Sequence, residues 1–391
     1  MNLRTAPRLE GIGEYYFSQK LRAIEALNRS GAPVLNLGIG SPDGAPHPDV
    51  IATLQEQSAR PGVHAYQGYK GIEALRAAMS AWYARWYGVT LDPSVEILPL
   101  IGSKEGILHL CMTYLGPGDE ALVPNPGYPT YRSAVQLAGA TPVDYKLTEA
   151  GGWRPDFAAL EASDLSRVKL MWVNYPHMPT GQLPPAGLFE QLVAFGKKHN
   201  ILICHDNPYS FILNDNPQSL LAVPGALECA VELNSLSKSH NMAGWRVGML
   251  CGAAERIEEV LRFKSNMDSG MFQPLQQAAV TALYLGPEWY AALNDTYRSR
   301  RAAAGALLDL LGCRYDPGQA GMFLWARIPD HWSDGFALSD AMLGGARVFL
   351  TPGGIFGSEG DRYLRISLCS PGERFTEAAD RISTYLKKVN L

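Results

Sequence analysis

One lysine set between hydroxyl side chains, with an arginine eight residues further on, is the most chemically suggestive arrangement in the chain. Residues 235–248 read Ser-Leu-Ser-Lys-Ser-His-Asn-Met-Ala-Gly-Trp-Arg-Val-Gly, with the lysine at 238 and the arginine at 246. The hydroxyls of Ser235 and Ser237 and the guanidinium of Arg246 are groups that bind a phosphate dianion. The same positive field disfavours the ammonium form of Lys238. The spacing therefore predicts a neutral amine that forms a Schiff base with an aldehyde beside a bound phosphate.

The pattern Ser-x-Ser-Lys followed by Gly-x-Arg-x-Gly resembles the pyridoxal-phosphate aminotransferases of class I/II, whose fold is called fold type I. Further matches run from about Leu35 to Arg365, so the resemblance covers most of the chain. It implies pyridoxal 5'-phosphate as cofactor. It also implies amino-group transfer between an α-amino acid and a 2-oxo acid through a Schiff base on Lys238.

A carboxylate that could hold the cofactor nitrogen follows a short apolar run. Residues 201–204 read Ile-Leu-Ile-Cys, a pattern typical of a buried parallel strand. Asp206 stands at the C-terminal end of that run, where open α/β sheets bind ligands. A buried carboxylate keeps a pyridine nitrogen protonated, which lets the ring accept electrons. The resemblance makes Asp206 this partner and Tyr209 the phenol that hydrogen-bonds the ring's 3-oxygen.

Two segments upstream resemble the family's cofactor-binding segments. The first is an apolar run, a Gly-Ser turn and the start of a helix, a sequence that favours phosphate binding by backbone N–H groups. Its residues are Gly102, Ser103 and Lys104. Tyr128, between two prolines, corresponds to the aromatic residue that stacks on the cofactor ring. Tyr66 resembles the family tyrosine that reaches the phosphate of the neighbouring subunit, which implies a homodimer with shared active sites.

The substrate side is expected at three places. Gly40 lies in a segment that resembles the family's Gly-x-Pro stretch, whose backbone touches the substrate carboxylate. Arg365 is the charged member of the alternating segment 363–367, and its planar guanidinium binds a carboxylate through two parallel hydrogen bonds. Tyr15 lies in segment 14–18, which with segment 265–272 is similar to the diaminopimelate aminotransferase branch and its relatives.

One position departs from the family pattern. The family reads Asn-x-Pro-x-Asn-Pro-Thr-Gly, and its second Asn donates to the cofactor's 3-oxygen. Here the stretch 174–181 reads Asn-Tyr-Pro-His-Met-Pro-Thr-Gly, so Met178 takes that place. A thioether cannot donate a hydrogen bond. Tyr209 is then the remaining donor, unless Asn174, which the resemblance assigns to the cofactor, or His177 or a water substitutes.

The elements that must position these groups follow an α/β pattern. Amphipathic helical segments (72–87 and 188–199) alternate with extended ones up to about residue 272, which predicts a mostly parallel sheet with helices on both faces. Two long helices (274–285 and 289–311), strand-like segments and a final helix (373–388) then indicate a smaller α+β domain. The expected division is a large cofactor-binding domain over residues 46–273 and a small domain over residues 274–391. The resemblance implies that residues 1–45 join the small domain.

Composition excludes several classes of protein. The 391 residues carry a net charge of −4, which argues against nucleic acid or an anionic membrane as the main partner. The sequence has no apolar run long enough for a spanning helix and no secretory signal, so we expect a cytoplasmic protein. Six scattered cysteines indicate reduced thiols. His205 lacks a second histidine at ligand spacing, so no metal site is predicted.

Two alternatives to transamination stay open at the level of sequence. Carbon–sulfur β-lyases and other elimination enzymes of the same fold share the motifs described above. A non-catalytic regulatory module that binds pyridoxal phosphate would carry an added DNA-binding domain, and the residues that precede the first matched motif are not basic. Small-molecule amino acids and 2-oxo acids are the expected partners, but the sequence does not identify which ones.

Overall fold

The computed structural model describes residues 3–31 and 33–389. The expected N-terminal and C-terminal segments include Met1, Asn2, Ala32, Asn390 and Leu391, which lie outside the described residues. The helices are α1 Tyr16–Arg29, α2 Pro48–Ser58, α3 Glu73–Tyr87, α4 Ser103–Tyr114, α5 Pro129–Leu137, α6 Phe157–Glu161, α7 Leu188–His199, α8 Leu236–Ser239, α9 Ala254–Lys264, α10 Gln273–Leu283, α11 Pro287–Leu310, α12 Gly335–Ala341 and α13 Gly372–Val389. The strands are β1 Leu35–Asn36, β2 Ile97–Leu100, β3 Glu120–Asn125, β4 Thr141–Lys146, β5 Val168–Val173, β6 Leu202–Asp206, β7 Ala230–Ser235, β8 Gly248–Gly252, β9 Arg314–Tyr315, β10 Phe323–Arg327, β11 Val348–Phe349, β12 Thr351–Pro352 and β13 Tyr363–Ser367.

The central sheet has seven strands in the order β2-β8-β7-β6-β5-β3-β4. β8 runs antiparallel to both of its neighbours, and the other pairs are parallel. Successive residues of β6 enter different clusters of the core, with Ile203 in one and Cys204 in the other. Helices therefore cover both faces, which explains why these strands read as continuous apolar runs. The predicted α/β class with a mostly parallel sheet is confirmed.

The C-terminal part forms a second, antiparallel sheet in the order β12-β13-β10-β9. Helix α13 covers part of this region and buries Phe375, Ala378 and Ile382, which recur at helical spacing. β1 pairs in parallel with β11, so the N-terminal segment is bonded to C-terminal elements. These contacts agree with the expected small domain, whereas the boundaries at residues 45 and 273 stay predictions.

Helix boundaries differ from the sequence expectation by a few residues for identifiable reasons. The helix expected to begin at residue 289 begins two residues earlier, at Pro287. Proline suits this place because its missing N–H would have no partner inside the helix. No helix among the described residues is both long enough and apolar enough to cross a membrane.

Candidate active site

A cavity of about 850 Å³ opens at the C-terminal ends of the parallel strands. It lies where α1, the central sheet and the antiparallel sheet meet, as expected for open α/β sheets. Most of the residues predicted for the site line this one cavity: Tyr15, Gly40, Ser103, Lys104, Tyr128, Asn174, Asp206, Tyr209, Ser235, Ser237, Lys238, Arg246 and Arg365. Gly102 precedes Ser103 at the start of α4. The sequence therefore identified a set of residues that the fold brings together.

Lys238 reaches the cavity from α8, a single helical turn directly after β7. Its Nζ donates to the carbonyl oxygen of Gly40 at 2.6 Å. Burial is the main reason why the pKa of Lys238 is lowered, and the charges of Arg365 and Arg246 lower it further. The positive field predicted from the sequence contributes to this shift, but desolvation, which the spacing did not indicate, is the larger cause. The neutral amine is therefore favoured more than it is in an exposed lysine.

Asp206 ends β6 and is buried at the floor of the cavity. Its Oδ2 accepts a hydrogen bond from the Tyr131 hydroxyl at 2.8 Å, and its Oδ1 has no partner among the residues that the structure describes. Burial raises the pKa of Asp206 to about 6, although the Tyr131 hydrogen bond opposes the rise. A buried carboxylate that lines the cavity and has one oxygen without a partner can accept from a cationic N–H donor.

Tyr131 is a site residue that the sequence argument missed. It lies in the first turns of α5, three residues after Tyr128, and its ring stacks on Trp172 with centroids 5.0 Å apart and planes 7° from parallel. The stacking fixes the ring so that its hydroxyl meets Asp206. The only signal in the sequence was the Tyr-Pro-Thr-Tyr spacing, which does not indicate what the second tyrosine contacts.

The opposite end of the cavity carries the groups predicted to hold a phosphate. Ser103 and Lys104 form the first turn of α4, where free N–H groups point outward. The Ser235 hydroxyl bonds that of Ser237 at 2.9 Å. Gly102 has φ 82°, and a Cβ there would lie 2.0 Å from Nη2 of Arg246. The positive φ favours glycine at this position, and the end of the arginine side chain fills the space that a Cβ would take.

Arg365, the residue expected to bind the substrate carboxylate, lies on β13 and is 4% exposed. Its Nη2 donates to the carbonyl oxygen of Gly38 at 2.8 Å, and its Nη1 contacts the thioether sulfur of Met178 at 3.3 Å. Nε has no partner within residues 3–31 and 33–389. The guanidinium carbon lies 3.8 Å from the ring centroid of Phe323. Burial lowers the pKa of Arg365 to about 10. The guanidinium therefore has an N–H group, at Nε, that is free to donate to a carboxylate.

Aromatic side chains enclose the space between these two ends. Tyr209 packs its ring edge-on against Phe323, and burial raises the pKa of its phenol. Tyr128 packs edge-on against Tyr131. Tyr15 lies under the ammonium of Lys104, 4.8 Å from its ring centroid, and burial raises its pKa as well. The walls are thus largely apolar, with neutral phenols as hydrogen-bond donors.

The stretch that departs from the family pattern lies against the cavity. Asn174 is fixed at both ends of its amide, because Nδ2 donates to the Asp206 carbonyl at 2.6 Å and Oδ1 accepts from the Met178 N–H at 2.7 Å. His177 is buried, bonds Thr180 through Nδ1 at 2.8 Å and does not line the cavity. His177 is therefore a poor substitute for the missing amide donor.

Tyr66 is the one predicted site residue that the structure does not bring to the cavity of its own chain. Its side chain is 93% exposed, in the loop between α2 and α3. The structure therefore does not place Tyr66 among the residues that line the cavity of its own chain.

Outside the cavity, three residues of types that bind metal ions lie close together, although no metal site was predicted. The ligand atoms of Glu105, His109 and Asp268 lie within 4.8 Å of one another. However, Lys264 places its ammonium 2.6 Å from both carboxylate oxygens of Asp268. Asp268 is thus paired with a cation of the chain itself, and Oε1 of Glu105 lies 3.5 Å from Nε2 of His109.

Comparison with known proteins agrees with this geometry. The family model for "Aminotransferase class I and II" matches residues 32–382. An LL-diaminopimelate aminotransferase of Desulforudis audaxviator is 41% identical over all of both chains. The substrate-bound structure of BacF from Bacillus subtilis superimposes with a TM-score of 0.92 and 36% identity, covering 98% of each chain. A probable N-succinyldiaminopimelate aminotransferase from Thermus thermophilus gives a TM-score of 0.87 and 32% identity, covering 95% of this chain and 100% of that one.

The chain belongs to the class I and II aminotransferases. It is an enzyme that transfers amino groups, and the expectation of an aminotransferase of fold type I is confirmed.

Proposed function

We propose that the enzyme works with pyridoxal 5'-phosphate bound in this cavity and joined to Lys238. The observation that carries the proposal is the pairing, in one cavity, of a desolvated lysine amine with a buried aspartate that has one oxygen without a partner. A pyridine ring that bears an aldehyde and a phosphate needs both of these groups.

The other lining residues fit the same group. The N–H groups at the start of α4, the hydroxyls of Ser235 and Ser237 and the guanidinium of Arg246 would hold the phosphate. Asp206 Oδ1 would accept from the ring nitrogen. Tyr209 would donate to the ring's 3-oxygen, and Tyr128 would pack on the ring face.

The bound cofactor would act as an electron sink for the bonds at the substrate's α-carbon. Lys238, released by the incoming amino acid, would take and return a proton at its Nζ, because its lowered pKa lets it act as a base. Arg365 would hold the α-carboxylate through its unused donors and so orient the Cα–H bond toward Lys238. Gly40, whose carbonyl already accepts from Lys238, would contact the same carboxylate end.

We further propose a long diamino dicarboxylate as the amino donor. The relative in Desulforudis audaxviator is named for LL-diaminopimelate. The cavity of about 850 Å³ extends past Tyr15 to the α1 residues Arg22 and Glu25, which carry opposite charges. Arg22 is already paired with Glu14, and Glu25 lies 3.7 Å from Arg29, so the distal ammonium and carboxylate of such a substrate would bind by exchanging these ion pairs.

A homodimer with shared sites and a cytoplasmic location also belong to the proposal. The first is supported by the exposed position of Tyr66. The second is supported by the six cysteines, all in described parts of the chain, which are all free and buried.

The test is a panel of amino donors, including LL-diaminopimelate, glutamate and alanine, against 2-oxoglutarate and pyruvate. We expect stoichiometric formation of the new amino acid and the new 2-oxo acid. Lys238→Ala should abolish both this turnover and the visible absorbance of the purified protein, whereas the surface variant Lys387→Ala should keep both. Near-normal turnover in Lys238→Ala would refute the lysine assignment, and release of ammonia without an amino product would refute transfer.

A further inference from the structure

A fully buried ion pair lies directly behind the site, on the neighbouring strands β6 and β7. His205 and Glu232 are register partners in the parallel ladder, and both have no exposed surface. Nδ1 of His205 lies 2.8 Å from Oε2 of Glu232. The residue after His205 is Asp206, so the pair is attached to the strand end that carries the site's carboxylate.

The hydrogen-bond partners fix the charge of both groups. Nε2 of His205 lies 3.0 Å from the carbonyl oxygen of Tyr175, which can only accept, so this nitrogen carries a proton. Glu232 already accepts from the hydroxyls of Tyr83 and Ser219, both at 2.9 Å. Both oxygens of Glu232 thus accept from other donors. The geometry assigns Nδ1 as a further donor to Oε2, which makes His205 an imidazolium.

The surroundings contain few other charges. Tyr83 and Tyr87 face Glu232 from α3 and Cys251 faces it from β8, and burial raises the pKa of all three, so they stay neutral. On the remaining side, the ring of Phe189 packs edge-on against His205. Tyr131 and Tyr209 face Asp206, and burial raises the pKa of both phenols. Asp206 is thus the group described here whose charge near neutral pH the ion pair can influence. Because consecutive strand residues point to opposite faces, the influence acts through charge and not through contact.

We propose that the His205 imidazolium, held in place by Glu232, is a positioning residue that keeps Asp206 ionised. The inference depends on the proposed function, in which Asp206 must be an anion to hold the cofactor nitrogen. Burial raises the pKa of Asp206, and the charge of His205 opposes that rise more than the charge of Glu232 adds to it. A buried ion pair contributes little to stability by itself. Its effect on the charge of Asp206 is therefore the function that we assign to it.

The charge-balance test uses one single and one double variant. His205→Gln removes the positive charge and leaves Glu232 in place, so the pH at which Asp206 ionises should rise by about one unit. His205→Gln with Glu232→Gln removes both charges and should return most of that shift. The readout is the pH dependence of the dissociation constant of pyridoxamine phosphate, which cannot link to Lys238, measured by tryptophan fluorescence. Tyr83→Phe, which removes a donor to Glu232 but no charge, should leave the curve unmoved.

If the role of His205 is purely structural, the double variant should bind pyridoxamine phosphate at least as weakly as the single variant. The pH dependence of the dissociation constant should then be the same in both variants and in the unaltered protein. Those results would overturn the proposal. If the variants do not fold, ¹⁵N resonances of labelled histidine in the unaltered protein decide the question. We expect both ring nitrogens of His205 to be protonated at pH 8, and a neutral ring would overturn the proposal while leaving the proposed function intact. Failure of the unaltered protein to bind pyridoxamine phosphate would instead refute the proposed function.

Discussion

Removal of the Tyr131 hydroxyl isolates one contribution to the ionisation of Asp206. In Tyr131→Phe the ring keeps its stack on Trp172, and only the hydrogen bond to Asp206 Oδ2 is lost. A hydrogen bond to a charged group contributes about 1.5–3 kcal/mol, which corresponds to about one or two pKa units. Because this bond lowers the pKa of Asp206, its loss should raise that pKa from about 6 to about 7–8.

The consequence for stability has a definite sign in the protein without cofactor. The pKa of Asp206 is higher in the folded chain than its ordinary value of 3.8, so the unfolded chain releases this proton first. The free energy of unfolding therefore falls as pH rises from about 4 to about 6. In Tyr131→Phe the fall continues to about pH 8. The stability deficit of the variant should grow by about 1.5–3 kcal/mol between pH 5 and pH 8.

Urea unfolding of the cofactor-free proteins at pH 5, 6.5 and 8 measures this deficit. Tyr145→Phe is a matched control, because Tyr145 is also buried but its hydroxyl donates to the backbone carbonyl of Trp172 at 2.7 Å. Loss of that neutral hydrogen bond should cost about 0.5–1.5 kcal/mol at every pH. A Tyr131→Phe deficit that stays constant with pH, or shrinks as pH rises, would contradict the reasoning.

Three further predictions concern the substrate and subunit contacts. Arg365→Lys should lower kcat/KM for α-amino acids by about 10–100-fold, because an ammonium cannot form two parallel hydrogen bonds to a carboxylate; unchanged steady-state kinetics would refute the clamp. Met178→Asn restores a donor, so the pH midpoint of the cofactor's visible absorbance should fall by about one or two units; an unmoved titration would mean that another group already donates. Hybrids of Lys238→Ala and Tyr66→Ala subunits should recover part of the activity that each variant lacks alone, and a fully active monomer in sedimentation would exclude shared sites.

The sequence by itself determined the local features of the protein. Lys238 was singled out by the hydroxyls and the arginine around it, and Asp206 by its place after an apolar run, whereas Arg365 was assigned through the family resemblance. Asp206 and Arg365 lie on the strands that their neighbours predict. The strand 363–367 was predicted with its observed bounds, and the helix 188–199 likewise, because period and turn residues are readable within a dozen residues. The family resemblance then supplied roles that spacing alone left open.

Only the tertiary structure decided which groups contact these residues and how burial changes their pKa values. Tyr131 and Asp206 are 75 positions apart, and Met178 and Arg365 are 187 positions apart. No local pattern predicts these contacts, since they depend on the strand order of the central sheet and on the side chains that β13, in a second sheet, brings to the cavity. Burial of Lys238 is likewise a property of the assembled cavity, and it lowers the pKa more than the neighbouring charges do. Periodicity shows which face of an element is buried, but the partner of that face is chosen by long-range packing.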